Sequence, residues 1–384
     1  MSGIGAAVVG TGFIGVVHVE ALRRLGANVT GVVGSSPGRA RQKPGLPEPY
    51  ESFEAMLDDD RVRVVHLTTP NHLHYPQVRA VLAAGKHVVC EKPLALTSEE
   101  SGELLRLADD SGLVHCTNYN IRFYALCRES RARVRRGDIG AVHGVHGVYV
   151  QDWLLKPTDW NWRLDPGQGG ALRAVADIGT HWLDLTTFVT GKRVASVFAD
   201  LHTVHTTRRI PIGPVETFAG DQDEVERVER AIESEDMAHV LIRYEDGSRG
   251  NVTISQLAAG RKNCLAFELD GAEGSLAWSS ERPEELWLGH RDRPNELLLR
   301  DPAQLDASAA AFTDYPGGHA EGFPDTFKQL YKAVYAAVEE GRMPAEPEFP
   351  TFADGHEEIL LGEAIARSAA DERWVELSRV EVAR

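Results

Sequence analysis

The sequence predicts an α/β Rossmann domain at the N-terminus, with a doubly wound parallel sheet, followed by an α+β domain with a large, open, mostly antiparallel sheet. Three observations support this fold class. Short β-branched runs alternate with helical patterns over residues 6–117. A glycine-rich turn at 10–15 joins the first strand to the first helix. Beyond residue 122, longer alternating strands separated by turn residues replace this alternation.

The N-terminal elements follow from the length and flanks of each apolar run. Brief runs bounded by Gly, Pro or polar residues are typical of strands buried on both faces of a parallel sheet. They lie at 6–9, 29–33, 64–67, 88–90 and 114–117. Helical patterns lie between them, at 14–25, 52–57, 76–84 and 98–108. This order favours right-handed crossovers in one parallel sheet.

The second part of the chain begins with an amphipathic helix at 126–136. Alternating strands are predicted at 142–150, 194–205, 238–244, 250–256, 264–269 and 275–278. Further helices are predicted at 177–189, 323–340 and 352–371. The domains are therefore predicted as 1–122 for dinucleotide binding and 123–384 for substrate binding and oligomerisation. Residues 221–236 hold eight acidic side chains and two arginines, and we expect them to form a solvated, mobile insertion.

Composition narrows the classes of partner. The 384 residues carry 57 acidic and 41 basic side chains, for a net charge of −16, so nucleic-acid binding is not expected. We expect no membrane association, because no apolar run approaches the roughly 18 residues of a membrane span. No basic segment precedes the apolar stretch 4–22, so it is interpreted as folded protein. The four cysteines lack CxxC spacing, which is typical of reduced, mostly buried thiols in a cytoplasmic protein.

The turn Gly10-Thr11-Gly12-Phe13-Ile14-Gly15 has the spacing of a dinucleotide-binding fingerprint. The first glycine permits the tight turn, the second lets the backbone approach a pyrophosphate, and the third allows close packing of helix on strand. Backbone N–H groups from Gly10 to Ile14, including that of Phe13, would then face the phosphates at the positive end of the helix.

The end of the second strand indicates which dinucleotide is bound. A carboxylate that would bind a ribose 2′-hydroxyl is usual here. The segment 33–39 contains none, and offers Ser35, Ser36 and Arg39 instead. These groups favour a 2′-phosphate, so the sequence predicts NADP in preference to NAD. The alternative is a polar turn that does not contact the phosphate.

Three further segments place reactive side chains after predicted strands or on a helix. Thr69-Pro70-Asn71-His72-Leu73-His74 and Glu91-Lys92-Pro93 follow the third and fourth strands, at the edge where open α/β sheets bind ligands. Pro93 restricts the backbone of Lys92, although a lone lysine is more often a surface ion-pair residue. Asp177 and His181 stand four residues apart on a predicted helix. The alternative for this pair is a capping aspartate and a packed histidine.

Together, the GxGxxG turn, the TxPNxxH segment, the EKP tripeptide and the DxGxH helix resemble the Gfo/Idh/MocA family of sugar and polyol oxidoreductases. The resemblance runs from residue 6 to about residue 374. It implies a Rossmann domain followed by an open-faced sheet domain, with an active site that draws on both. The implied reaction is hydride transfer between a nicotinamide and a ring carbon of a sugar, glycoside or cyclic polyol.

The resemblance also implies roles for single residues. Lys92, Asp177 and His181 would be catalytic, with His181 as general acid/base and the other two orienting the reacting hydroxyl. A base must take the hydroxyl proton when hydride leaves, and a cationic lysine stabilises the developing negative charge. The sequence leaves open whether His181 or Lys92 is the immediate base. The residues expected to contact the cofactor after strands three to five are Thr69, Pro70, Asn71, His74, Glu91, Lys92 and Asn120.

Five residues are candidates for substrate contact. Trp160 and Trp162 could pack on sugar C–H faces and Arg163 could bind hydroxyls, although clustered Trp residues are as often core. Arg122 follows the fifth strand and could instead be a surface arginine. His319 lies in a glycine-rich loop before a helix, and a simple turn is its alternative.

Two other functions fit the same fold. One is glycoside cleavage through transient ring oxidation by a tightly held NAD, and the other is non-catalytic sensing of a dinucleotide. Retention of Lys92, Asp177 and His181 disfavours the sensor. The pairs His72/His74 and Asp177/His181 have metal-ligand spacing but lack a third ligand, so no metal is expected. The open sheet needs a cover, which favours a homodimer or homotetramer.

Overall fold

The computed structural model describes residues 3–212 and 226–377. These residues form two compact units. Unit 1 combines residues 3–120, 167–170 and 323–359, and unit 2 combines the remaining described residues. The chain therefore leaves unit 1 after residue 120 and returns to it with residues 323–359. The domain division predicted from the sequence, 1–122 and 123–384, does not include this return.

Unit 1 is built on a five-stranded sheet, all of whose strands run parallel. The strands are β1 (Gly5–Val9), β2 (Asn28–Val33), β3 (Val64–Leu67), β4 (His87–Cys90) and β5 (His115–Thr117). The helices between them are α1 (Phe13–Arg24), α2 (Pro37–Arg41), α3 (Phe53–Leu57), α4 (His74–Ala83) and α5 (Ser98–Ser111). The strand order β2-β1-β3-β4-β5 reverses direction between β1 and β3. Ligands of doubly wound sheets bind at such a switch point.

The unit 2 sheet has nine strands. Its members in spatial order are β15 (Glu296–Leu299), β14 (Glu285–Gly289), β13 (Ser275–Ser279), β12 (Cys264–Gly271), β6 (Val142–Val150), β11 (Arg249–Ser255), β10 (Met237–Tyr244), β7 (Val194–His202) and β16 (Val375–Glu376). Neighbours are antiparallel except β6 and β11, which are parallel. A separate hairpin pairs β8 (Thr207–Pro211) with β9 (Arg227–Ala231). The prediction of a large, mostly antiparallel sheet is confirmed.

The remaining helices pack on one face of this sheet or return to unit 1. They are α6 (Ala125–Arg136), α7 (Pro166–Gly169), α8 (Thr180–Thr190), α9 (Ala307–Ala310), α10 (Phe323–Glu340) and α11 (Phe352–Asp371). A π-helix, Val175–Gly179, leads into α8. Helix α10 belongs to unit 1.

Alternation along the strands of unit 2 separates a core face from an open face. In β10, Ala238, Val240 and Ile242 are buried, whereas His239 and Leu241 are exposed. The buried face joins Trp182 and Leu185 of α8 in one hydrophobic core. Leu241 on the other face is 50% exposed.

The acidic segment is a correction to the sequence prediction. Residues 221–225 lie outside the described residues, and the rest of the run is a regular strand with solvated side chains followed by two buried carboxylates, rather than one solvated insertion. Arg227–Ala231 forms β9, and Glu235 and Asp236 are buried. These two carboxylates are paired with buried arginine and backbone groups, which removes the solvation cost of burying them.

The predicted burial of the cysteines is confirmed. All four cysteines are buried and none is in a disulfide. Within the described residues, no helix is both long and apolar enough to span a bilayer.

Candidate functional site

The glycine turn after β1 has three different steric requirements. Gly10 has a φ of 108°, and a Cβ there would lie 2.4 Å from Thr68 Oγ1. A Cβ at Gly15 would lie 2.1 Å from the Gly10 carbonyl oxygen, so only glycine lets α1 approach the turn. A Cβ at Gly12, by contrast, would meet no atom within 4 Å. The space at Gly12 is therefore open for a ligand.

These features fit a dinucleotide phosphate. Helix α1 begins at Phe13, directly after Gly12, and a glycine can offer no side-chain cap to the helix N-terminus. Phe13 is 50% exposed and Ile14 is partly buried. Backbone N–H groups and the positive helix end are the usual means of binding a pyrophosphate. The turn lies at the carboxyl end of β1, one of the two strands of the switch point.

The segment after β2 offers hydroxyl groups and one cation. Ser36 caps α2 by accepting a hydrogen bond from the backbone N–H of Arg39 at 3.3 Å. Ser35 is exposed, and so is Arg39. Over residues 3–212 and 226–377, the Arg39 guanidinium has no ion-pair or hydrogen-bond partner. The glycine turn follows β1 and Arg39 follows β2, and these two strands are neighbours in the sheet.

His74 joins the segments that follow β3 and β4. Its Nδ1 lies 2.7 Å from the Pro93 carbonyl oxygen, and its Nε2 lies 2.9 Å from that of Thr69. Burial lowers the pKa of His74, although both carbonyl groups oppose this shift. The Lys92–Pro93 peptide bond is cis. The sequence-predicted TxPNxxH and EKP segments are thus in direct contact.

The other predicted polar residues of unit 1 bond to groups outside the predicted site. Asn71 donates from Nδ2 to the Gly169 carbonyl at 2.9 Å, and Asn120 donates to Thr326 Oγ1 at 2.7 Å. Both side chains are buried. Thr69 donates to Gln77 Oε1 at 2.6 Å. Pro70 and Lys92 are partly buried.

Sequence reasoning missed a chain of buried polar side chains beside Glu91. The hydroxyl of Tyr335 lies 3.1 Å from His66 Nε2, and His66 Nδ1 lies 3.1 Å from His18 Nδ1. His18 Nε2 lies 3.1 Å from Glu91 Oε1, which also accepts from Asn118 Nδ2 at 2.5 Å. His18, His66 and Tyr335 are fully buried.

Burial sets the protonation of two of these groups. Burial, with the neighbouring His18, lowers the pKa of His66 far below its usual value, and burial raises that of Tyr335. His66 is therefore neutral and Tyr335 is protonated, and at the other end His18 Nε2 donates to the Glu91 carboxylate, which can only accept. The chain orients the glutamate of the EKP tripeptide. Two histidines inside otherwise apolar runs were the available sequence signal.

In unit 2, Asp177 lies in the π-helix and His181 lies at the start of α8. The sequence predicted one regular helix from residue 177, so the π-turn is a correction. π-turns are rare and frequent at functional sites. The Asp177 carboxylate is held at both oxygens, because Arg163 Nε lies 2.9 Å from Oδ1 and Gln256 Nε2 donates to Oδ2 at 2.9 Å.

His181 is buried beside an aromatic ring. Its ring centroid lies 6.2 Å from that of Tyr149, whose hydroxyl donates to Asn263 Oδ1 at 2.7 Å. Burial raises the pKa of Tyr149, and the charge of Asp177 raises it further. The tyrosine therefore remains protonated near His181.

The structure separates the predicted substrate-binding residues into two groups. Trp160 packs against a small apolar cluster that includes Leu154. The guanidinium of Arg163 stacks 4.4 Å from the Trp162 ring while it pairs with Asp177. Arg163 is thus in contact with a predicted catalytic residue and Trp162 stacks on Arg163, whereas Trp160 belongs to a separate apolar cluster.

Arg122 and His319 have different surroundings. Arg122 is buried, contrary to the alternative of a surface arginine, and forms a two-fold ion pair with buried Asp184. Its guanidinium also stacks 5.1 Å from the Phe188 ring. These contacts favour a structural role. His319 is exposed in the loop after Gly318, and its carbonyl accepts from Arg300.

One other group of side chains has metal-ligand composition. Ligand atoms of His146, Glu268 and Asp270 lie within 4.8 Å of one another on partly buried positions of β6 and β12. His146 Nε2 pairs with Asp270 Oδ2 at 3.2 Å. This ion pair accounts for the proximity of two of the three groups.

The fold and the glycine turn define a dinucleotide-binding α/β protein, and comparison with known proteins gives its family. Residues 4–119 match the oxidoreductase family with the NAD-binding Rossmann fold, and residues 127–277 match the GFO/IDH/MocA C-terminal domain. The chain belongs to the GFO/IDH/MocA family of oxidoreductases. The resemblance inferred from the motifs is confirmed.

Relatives match over most of the chain. Levoglucosan dehydrogenase from Pseudarthrobacter phenanthrenivorans is 28% identical to this chain, and the alignment covers 99% of this chain and 100% of the relative. 1,5-Anhydro-D-fructose reductase from Ensifer adhaerens is 33% identical and covers 79% of this chain and 85% of the relative. A solved structure of levoglucosan dehydrogenase in complex with NADH and L-sorbose has a TM-score of 0.87, 27% identity, and covers 99% and 100% of the two chains.

Proposed function

We propose that the protein is an NAD(P)-dependent oxidoreductase that transfers a hydride between the nicotinamide and a ring carbon of a sugar, glycoside or cyclic polyol. The observation that carries this function is the match of both domains to one oxidoreductase family, on a chain that retains Lys92, Asp177 and His181. An enzyme that is named for its sugar substrate, levoglucosan dehydrogenase, matches along 99% of the chain.

The cofactor residues follow from the open space at the glycine turn. Backbone N–H groups at Gly12, Phe13 and Ile14 would bind the pyrophosphate, since no atom lies within 4 Å of a Cβ at Gly12. When bound, the nicotinamide accepts or supplies the hydride. The segments linked by His74, together with Glu91 and Asn120, would complete the binding surface in unit 1.

We infer a preference for NADP over NAD from the segment after β2. Segment 33–39 contains no carboxylate. A carboxylate there would accept a hydrogen bond from the ribose 2′-hydroxyl of NAD and would repel the 2′-phosphate of NADP, so its absence favours NADP. Exposed Ser35, the partly exposed Ser36 and Arg39, which has no partner among the described side chains, offer donors and a positive charge to that phosphate.

Proton transfer is assigned to Lys92, Asp177 and His181. In the oxidation direction the substrate hydroxyl loses a proton as hydride leaves, and His181 or Lys92 would take it. The Asp177 carboxylate, held at both oxygens by Arg163 and Gln256, is suited to orienting that hydroxyl rather than to exchanging protons. A charged Lys92 would stabilise the alkoxide character of the transition state.

For the substrate, we propose a compact ring with several hydroxyls and no charged group. The relatives act on levoglucosan and on 1,5-anhydro-D-fructose by name, and both are anhydro sugars. The stacked pair of Trp162 and Arg163 would supply an apolar face and hydroxyl donors. His319 lies in an exposed loop and is the remaining candidate contact.

The test is a panel of levoglucosan, 1,5-anhydro-D-fructose, myo-inositol and free hexoses, assayed by nicotinamide absorbance with NADP and NAD at matched concentration. We expect turnover of at least one anhydro sugar and faster initial rates with NADP. A clear preference for NAD would refute the roles given to Ser35, Ser36 and Arg39. Aglycone release from glycosides without net absorbance change would favour glycoside cleavage instead.

A homodimer or homotetramer is proposed from the open face of the nine-stranded sheet. Exposed Leu241 and His239 lie on that face, opposite the residues that join the core. A second copy of the chain would cover it through a symmetric contact of the same face on both copies.

A further inference from the structure

A cluster of four charged side chains lies buried in unit 2, outside the residues so far given a role. We call Arg173, Arg208, Glu235 and Asp236 the Asp236 cluster. Their exposed fractions are 1%, 0%, 3% and 0%. Asp236 Oδ1 accepts hydrogen bonds from Arg173 and, at 2.8 Å, from Arg208. Burial raises the pKa of Asp236, but Arg173, Arg208 and the His205 backbone N–H outweigh this effect, so the pKa is lowered.

Gln256 connects this cluster to Asp177. Arg173 donates to Gln256 Oε1 at 3.1 Å, and Gln256 Nε2 donates to Asp177 Oδ2 at 2.9 Å. A guanidinium only donates and a carboxylate only accepts, so the amide of Gln256 can satisfy both in one orientation only. Gln256 is fully buried, which keeps water from replacing either bond.

The same cluster also fixes the backbone that carries Asp177. The Glu235 carboxylate accepts from the backbone N–H of Arg173 at 2.9 Å and from that of Val175 at 2.8 Å. Val175 is the first residue of the π-helix that contains Asp177. Glu235 therefore satisfies N–H groups at the start of this helix, where no intrahelical acceptor exists.

We propose that Gln256 is a positioning residue for the hydride-transfer reaction. It links the buried Arg173–Asp236 ion pair to the Asp177 carboxylate by two hydrogen bonds and so fixes the orientation of that carboxylate. The inference rests on the role of Asp177 in the proposed function. Gln256 donates to one carboxylate oxygen and Arg163 pairs with the other, so the plane of the carboxylate is set from two sides. Loss of the Gln256 bond would remove one of the two contacts that set this plane, while the Arg163 contact to Oδ1 stays.

The test is a double-mutant cycle between Gln256→Met and Asp177→Ala. In the otherwise native protein, Gln256→Met is expected to lower kcat by about ten- to a hundredfold, the range that loss of a hydrogen bond to a charged group gives. The KM for the cofactor is expected to stay unchanged. In the Asp177→Ala background the same change is expected to alter the remaining rate by less than about twofold, because no carboxylate is left to position.

A readout without substrate accompanies the cycle. In the protein without ligands, the ¹³C-carboxyl chemical shift of Asp177 at neutral pH should differ between Gln256→Met and the native chain, since the hydrogen bond from Gln256 Nε2 is lost. Gln256→Asn provides a second variant, because it keeps the amide but is too short by one methylene to span both partners. Gln329→Met, at another buried glutamine, controls for loss of a buried amide and is expected to keep kcat unchanged.

The outcomes separate this inference from the proposed function. Equal losses from Gln256→Met in both backgrounds would make Gln256 a structural residue only and would overturn the inference. So would unchanged kcat and an unchanged Asp177 carboxyl chemical shift in Gln256→Met and Gln256→Asn. Native activity in Asp177→Ala alone would refute the role of Asp177 in the proposed function, and with it any positioning by Gln256.

Discussion

Side chains outside the sequence motifs hold the motif residues of both units. Glu91 of the EKP tripeptide accepts from His18, and Asp177 of the DxGxH segment accepts from Gln256. Both supporting side chains are fully buried. The reactive residues are therefore oriented by a second set of polar groups, which restricts their geometry before any ligand binds.

The direct test at the residue scale is removal of the proposed acid/base groups. Lys92→Ala and His181→Ala are each expected to lower kcat by about 10²–10⁴-fold, because positioned proton transfer is worth that much. The dissociation constant of the cofactor, measured by NADPH fluorescence, should change little. His202→Ala, at an exposed histidine of β7, is the control. Native turnover in either active-site variant would refute the assignment.

The sequence could predict the motif residues but not their supports. Lys92, Asp177 and His181 stand in short patterns whose spacing is local. His18 and His66 are 48 residues apart, and the Tyr335 that completes their chain is a further 269 residues from His66. Only the packing of α10 on α1 brings these groups together, and no local pattern encodes that contact.

At the scale of elements, the glycine turn allows binding and folding to be separated. Gly15→Ala places a Cβ 2.1 Å from the Gly10 carbonyl oxygen, so it should lower the thermal unfolding midpoint and weaken cofactor binding together. Gly12→Ala meets no protein atom within 4 Å. It should leave the unfolding midpoint unchanged and raise the cofactor dissociation constant by at least about tenfold, since the backbone must approach the pyrophosphate.

These two variants control for each other. Thermal unfolding without ligand and fluorescence titration with NADPH give the two quantities. Unchanged cofactor affinity in Gly12→Ala would mean that the phosphates do not lie against this turn. A stable Gly15→Ala protein would show that α1 can move away from the turn at little cost.

Elements with regular periodicity were predicted well, and irregular ones were not. Val142–Val150 and Phe323–Glu340 have the predicted bounds, because alternation or helical spacing covers the whole element. The π-turn before α8 was missed, since five residues cannot show a period that differs from 3.6. The hairpin strand Arg227–Ala231 was missed because its sequence is dominated by charge. This strand forms because its backbone pairs with β8 and Arg230 pairs with Asp165. Both contacts are distant in sequence.

At the scale of the whole molecule, the open sheet face predicts association of identical chains. Leu241→Glu should shift the protein to a smaller species in light scattering after size exclusion, because it places a charge on the exposed face of the sheet. Val204→Glu, at an exposed residue outside the strands, is the control. An unchanged mass for Leu241→Glu would place the interface elsewhere or leave the chain monomeric.

The buried histidines make stability depend on pH. Burial lowers the pKa of His66 and His74, and burial with the charge of Arg63 lowers that of His87 to about 4. The unfolded chain binds protons at these positions near pH 6.5, whereas the folded chain does not. Stability is therefore complete above about pH 6.5 and falls as the pH decreases below it. His87 alone should cost about 1.4 kcal/mol at pH 5.5.

Urea unfolding between pH 5.5 and 7.5 measures this loss. His87→Gln keeps an acceptor for the Val114 backbone N–H, which now donates to His87 Nδ1 at 2.9 Å. It removes the titrating group and should reduce the slope of unfolding free energy against pH. The same slope in this variant as in the native chain would show that His87 is not protonated on unfolding in this range.

The return of the chain to unit 1 has a consequence for synthesis on the ribosome. His18 and His66 emerge early, but Tyr331 and Tyr335, whose rings pack against them or bond to them, lie more than 260 residues later. Until α10 has left the exit tunnel, the faces of His18 and His66 that it covers stay open to water. Unit 1 can therefore complete its packing only late in translation or after it, although its five parallel strands are all made within the first 117 residues.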